Sequence, residues 1–197
     1  MRWDSLFDDL EGQLEQELRA EELDRHAEEE RVRIGRLGLR DRLLAIHECG
    51  ASDADRTVRI ILISGEHLDL RSLSFGRDWL AAHVVDEAPR RTQCVVPLSA
   101  VATLVLTRAQ TEASLAPAAA EASLASRLTL PFVLRDLCRR RAAVDVRTGL
   151  GNVHGTVDRV GRDHFDLATH ESGSPRRRSA VVDYRTIPLQ QVLLLRL

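Results

Sequence analysis

Residues 144–167 read VDVRTGLGNVHGTVDRVGRDHFDL. Val144 and Val146 alternate with polar neighbours, as do Val153, Gly155 and Val157, and Phe165 and Leu167 continue the alternation after Gly161-Arg162-Asp163. An apolar period of two marks strands with one buried face. Gly151 and Gly161 fall where the chain must turn between such strands. The stretch predicts a series of short antiparallel strands.

The same landmarks stand earlier in the chain, in the same order. Val58 to Gly65 matches Val144 to Gly151, Gly76-Arg77-Asp78 matches Gly161-Arg162-Asp163, and Pro89-Arg90-Arg91 matches Pro175-Arg176-Arg177. Pro97-Leu98 with Val101 matches Pro188-Leu189 with Val192, after five extra residues placed near Asp183–Ile187. Four landmarks in register point to a tandem duplication. A short amphipathic helix precedes each copy, at Leu39–His47 and at Leu130–Leu137, the latter with Pro131 in its first turn. A helix followed by four or five short strands describes a small barrel. Pro97 and Pro188 inside apolar runs suggest edge strands or kinks.

The predicted organisation is mainly β with flanking helices. Residues 1–34 form an acidic amphipathic helix, 35–108 the first barrel, 109–126 an Ala-rich linker that is partly helical at best, and 127–197 the second barrel. Aromatics make up only 4% of the 197 residues, so the cores must be aliphatic. Charge is divided unevenly. Residues 4–30 hold twelve acids against Arg19 and Arg25, a net −10, and with −2 overall the remainder carries +8. All 28 basic residues are Arg. Arg suits bidentate phosphate contacts, but a GC-rich coding bias gives the same result everywhere in a chain, and Lys is missing everywhere here.

Cys49, Cys94 and Cys138 are odd in number and far apart, so buried reduced thiols are expected rather than disulfides or a zinc site. The seven His residues show no metal spacing, and no cofactor is implied. Gly149-Leu150-Gly151 through Gly155 is superficially a dinucleotide fingerprint, but it needs a helix next, and Thr156–Val160 alternates like a strand. No hydrolase, zinc-protease or phosphate-loop motif is present, which predicts a protein that is not an enzyme. The opening MRWDSLFDDLEG reads as an acidic amphipathic segment rather than as a signal peptide. No apolar run approaches the ~18 residues that span a bilayer. A cytoplasmic location with no membrane partner follows as the expectation.

Residues 144–167 resemble the first motif of the Sm and Sm-like (LSm) family, which includes the bacterial RNA chaperone Hfq. The matching positions are Val144, Val146, Gly151, Val153, Gly155, Val157, Val160, Asp163, Phe165 and Leu167. In the first copy Asp69 stands where Gly155 stands in the second. The second motif departs from the family: VVPLSAV and TIPLQQV replace its Arg-Gly or Lys-His signature. The resemblance implies two tandem Sm-like (SH3-like) five-stranded barrels behind the N-terminal helix. It further implies a non-catalytic RNA-binding chaperone or regulator. The whole chain also resembles a family of actinobacterial proteins, some of them described as Fis-type transcriptional regulators. That chemistry needs a C-terminal helix-turn-helix, whereas IPLQQVLLLRL reads as a strand.

By position, the resemblance places base contacts in the loop after the second strand, at Arg77, Asp78 and Trp79 and at Arg162, Asp163 and His164, and in the last loop, at Tyr184 and Arg185. Trp79 serves equally as core, and core is the preferred reading. Arg90, Arg91, Arg176, Arg177 and Arg178 form two matching loops able to grip a phosphate backbone of RNA or DNA, or to keep a hairpin soluble. Arg139–Arg141 extends that surface or favourably ends a helix. In the N-terminal helix, Trp3, Phe7, Leu10, Leu14 and Leu18 make an apolar stripe. The stripe offers a protein partner, or a second copy in a homo-oligomer, a docking face. That is the alternative reading, a protein-interaction scaffold or transcription-associated adaptor.

Overall fold

The computed structural model describes residues 4–85, 92–117, 124–171 and 181–197. The chain divides into two compact units, Met1–Gly38 and Leu39–Leu197. The first is helix α1, Asp4–Gly35. Its exposed face is laced with ion pairs three or four residues apart, among them Arg31–Glu28 and Arg33–Glu30. Trp3 lies outside the described residues, as do the side chains of Phe7 and Leu10, while Leu14 is exposed.

The second unit opens with α2 (Leu39–Cys49), followed by β1 (Thr57–Leu62), β2 (His67–Phe75), β3 (Trp79–Val84), β4 (Thr92–Pro97) and β5 (Val101–Val105). After α3 (Arg108–Ser114) come α4 (Leu130–Arg140), β6 (Ala143–Thr148), β7 (Gly151–Val160), β8 (His164–Thr169), β9 (Asp183–Pro188) and β10 (Val192–Arg196). A single 3-10 turn joins β4 to β5 (Leu98–Ala100) and another joins β9 to β10 (Leu189–Gln191). Pro97 and Pro188 end their strands by entering these turns.

The pairings repeat residue for residue. β1 with β2 and β5, then β2–β3 and β3–β4, recur as β6 with β7 and β10, then β7–β8 and β8–β9, all antiparallel. The bulge of β2 between Ser72 and Ser74 returns in β7 between Val157 and Arg159. The turn glycines Gly65 and Gly151 both have positive φ, 83° and 121°, which a side chain would resist. β4 starts opposite Val84 and β9 opposite Thr169. The five extra residues of the second copy therefore precede Asp183 and do not fall within Asp183–Ile187.

One feature departs from two separate barrels. The strand order is β5-β1-β2-β3-β4-β10-β6-β7-β8-β9, a single ten-stranded sheet in which neither half closes on itself. Its middle is a seam where β10 pairs with β4, Leu195 opposite Val95 and Arg196 opposite Cys94, extended by the Leu197 amide donating to the Gln93 carbonyl at 2.9 Å. Two cores flank the seam, and each takes residues from both copies. Leu193 and Leu194 join the core of β1–β4 and α2, while Trp79 and Val95 join the core of β6–β9 and α4. Seam strands are thus buried on both faces, which explains the unbroken apolar runs Cys94-Val95-Val96 and Val192–Leu195. An Arg147–Glu66 ion pair adds a link between the copies.

Helices α2 and α4 bury apolar residues at helical spacing, Leu43 and Ile46 in α2 and Leu130, Leu134 and Leu137 in α4. The stretch expected to be linker contains α3, which opens with a capping box between Thr107 and Gln110. Gln110 also donates to the Thr57 carbonyl, and Arg42 donates to the buried Ser114 hydroxyl, fastening α3 to the start of β1 and to α2. Gly155 is required by close packing, since a Cβ there would lie 2.4 Å from the Ala168 carbonyl oxygen. β7 contains Thr156–Val160, as a strand reading of that segment requires. Of the cysteines only Cys94 is buried; Cys49 is exposed because it ends α2 at the surface.

Because both cores share the seam, residues 39–197 should unfold in one transition, with Trp79 fluorescence and far-UV circular dichroism coinciding. Leu195→Ala should cost about 2–5 kcal/mol. Two separated transitions would contradict the shared sheet. Burial pushes the Cys94 thiol up from 9.0 to about 11. The unfolded thiol ionises first, so stability should be unaffected below the unfolded value and should fall as pH rises toward the folded one. Cys94→Val should lack that component in denaturant melts across this range.

Candidate nucleic-acid interface

The two GRD loops are built alike. The Gly76 amide donates to the Trp79 carbonyl at 2.9 Å, and the Gly161 amide to that of His164 at 2.8 Å. The following 3-10 turn is tied back in each case, Leu98 N to Asp78 O at 2.9 Å and Leu189 N to Asp163 O at 2.8 Å. Arg77 and Arg162 therefore occupy equivalent, exposed tips on one sheet. Neither guanidinium has an ion-pair or hydrogen-bond partner among the described residues. Several other arginines among the described residues of the unit are paired, for example Arg59 with Asp69 and Arg139 with Asp136.

At the seam the first loop holds the second copy's helix. The Asp78 carboxylate accepts from the Leu130 amide at 2.8 Å, capping α4, where the N-cap residue Thr129 makes no side-chain bond of its own. The Arg77 amide and the Trp79 indole both donate to the Leu128 carbonyl, at 2.8 and 3.1 Å. Trp79 is core, 7% exposed. Beside this contact lies an open groove of about 350 Å³. Asp78, Ser99, Thr129, Arg162, Leu189 and Gln190 are among the residues that line it. Its polar lining is one guanidinium, the carboxylate that caps α4, and hydroxyl and amide groups, able to contact phosphate and sugar or base edges.

In the second copy Asp163 caps no helix among the described residues and instead accepts from His164 Nδ1 at 2.8 Å, a bond that holds the Asp163 carboxyl below its ordinary range. Tyr184 and Arg185, expected in the last loop, lie instead in edge strand β9. That loop is the turn Leu189–Gln191, because the five extra residues come earlier. Arg185 pairs with Asp183 and Tyr184 is exposed. The structure therefore brings Arg162 together with the seam groove and places Tyr184 in a different groove. Arg90, Arg91, Arg176, Arg177 and Arg178 lie outside the described residues. Ser99 and Gln190 were not singled out from sequence. Their signal was the second motif itself, PLSAV and PLQQV, whose polar position aligns in the two copies.

Among the described residues no group of His, Cys, Asp and Glu could hold a metal ion, and no helix is long and apolar enough to cross a membrane. Comparison of the chain with protein-family models, curated proteins and solved structures finds no match.

Asp78→Ala should cost about 1 kcal/mol through the lost cap of α4, while Asp163→Ala should leave the melting temperature nearly unchanged. Equal losses in both variants would contradict the asymmetry of the seam.

Proposed function

We propose that the chain is a non-catalytic, single-strand-binding protein of Sm-like type, an RNA chaperone or regulator, whose modules present one loop cation each to a phosphate backbone. The observation that carries this reading is the repetition of an exposed arginine with no partner among the described residues, Arg77 and Arg162, at equivalent points of one sheet. A charge repeated at a structural period suits a ligand that is itself periodic, and a nucleic-acid backbone is such a ligand. The seam groove beside Arg162 adds neutral donors and acceptors that distinguish an exposed sugar-base edge from a duplex exterior. Helix-then-five-strand modules with their antiparallel order support the Sm-like assignment.

Binding of a single-stranded RNA and of duplex DNA, measured at about 50 and about 200 mM salt, tests this. The RNA should bind more tightly, and the slope of log affinity against log salt should drop by about 0.7 for each of Arg77→Ala and Arg162→Ala. Undetectable RNA binding at the lower salt would overturn the reading.

A second reading, a scaffold recruiting a protein, draws on α1, where Leu14, Leu18 and Leu23 are more than half exposed. In that case deletion of residues 1–33 abolishes partner capture and leaves RNA affinity intact. Unchanged partners after deletion would contradict it.

A further inference from the structure

Among the described residues, the two copies differ most where one is covered and the other is not. On the first copy, Ala81 and Val95 face the second core and are sealed by the seam. Their equivalents on the second copy are Asp166 and Thr186, and among the described residues no strand pairs with the outer side of β9. That face is an open groove of about 570 Å³. Arg141, Arg159 and Tyr184 line it together with Asp158, Asp166 and Thr186. By position the first copy has Gly50, Ser74 and Gln93 where the groove has Arg141, Arg159 and Tyr184. The face has exchanged neutral residues for two cations and the chain's only tyrosine.

Several features of these residues point to a ligand rather than to another copy of the chain. Repeating the seam would set Arg185 where Cys94 is fully buried and Thr186 where Val95 is, at a heavy desolvation penalty. The guanidiniums of Arg141 and Arg159 have no partner among the described residues. Arg141 holds φ 53° at the C-cap of α4, a left-handed conformation that favours glycine, so its side chain is kept at a backbone cost. Tyr184 is 61% exposed beside them.

We infer that this groove binds a nucleoside phosphate, either as a free mononucleotide or as the phosphorylated end of a strand. Arg141 and Arg159 take the phosphate through charge-assisted bonds. The Tyr184 ring stacks on the base. Asp158 and Asp166 lie within the same groove, and Asp166, which accepts from the Thr186 hydroxyl at 2.7 Å, has acceptor capacity left for a sugar hydroxyl. The two carboxylates balance the two guanidiniums, so a bare phosphate gains little there and the ring contact is needed for binding. This inference stands apart from the role of Arg77 and Arg162.

The single tyrosine makes the test specific. In the full chain labelled with 3-fluorotyrosine, one fluorine resonance reports Tyr184. Adenosine monophosphate should shift it saturably, with adenosine and inorganic phosphate each at least about tenfold weaker. Arg141→Gly, which relieves the left-handed backbone, combined with Arg159→Gln should remove the response while the thermal melt is kept, and Arg77→Ala with Arg162→Ala should leave it intact. A strand carrying a 5′-phosphate that outcompetes its unphosphorylated twin identifies a strand end as the source, and equal competition identifies the free nucleotide. Absence of a saturable shift with every phosphorylated probe would overturn the inference, as would a response unchanged in the Arg141→Gly/Arg159→Gln variant. A ligand-free shift that grows with protein concentration together with a doubled mass would assign the face to a second copy and overturn it too.

Discussion

The antiparallel contact between β4 and β10 is the constraint on which the rest of the unit depends. It is short in hydrogen bonds, with Leu195 opposite Val95 and Arg196 opposite Cys94. Its strength comes from burial on both faces. Leu194 and Cys94 are 0% exposed on one side and Leu195 and Val95 at most 3% exposed on the other. Each core is completed by the neighbouring copy, so neither five-stranded half has a full apolar interior alone. A surface of this kind is the hydrophobic interior of a domain divided between two repeats, and its stability scales with the apolar area removed from water.

Duplication followed by specialisation accounts for the differences between equivalent positions. Trp79, Cys94, Val95, Leu193 and Leu194 stand at the seam. Their equivalents Arg185, Thr186, Ala102 and Thr103 stand in the two edge strands, and His164 in the strand next to one of them, where they meet solvent. Edge strands carrying charge and short side chains resist further pairing. The same logic separates Asp78, which caps α4, from Asp163, which holds only its neighbour His164. What remains common to both copies is the skeleton of turns and bulges that presents Arg77 and Arg162.

Much of this skeleton was legible in the sequence, because turns and period-two strands are written in local residues. Gly65 and Gly151, the GRD loops and the Pro-Leu turns all mark real backbone events. The seam was not legible. Cys94-Val95-Val96 and Val192–Leu195 show by their unbroken apolar runs that they are buried on both faces, but nothing local says that they meet each other across about a hundred residues of chain. The Thr107–Gln110 capping box was hidden by the Ala-rich composition that follows it. Tyr184 and Arg185 read as loop residues in the sequence because nothing local marks the extra residues of the second copy as preceding Asp183. The outer groove was invisible because its residues come from α4, β7, β8 and β9, and only the fold brings them together.

Native-state hydrogen exchange at single-residue resolution tests the shared seam most directly. The amides of Val95, Leu195 and Leu197 should exchange as slowly as those of the central strands β2 and β7, with the outer strands β5 and β9 exchanging fastest. Seam amides that exchange as fast as those of β5 and β9 would show two independent modules and contradict the single ten-stranded sheet.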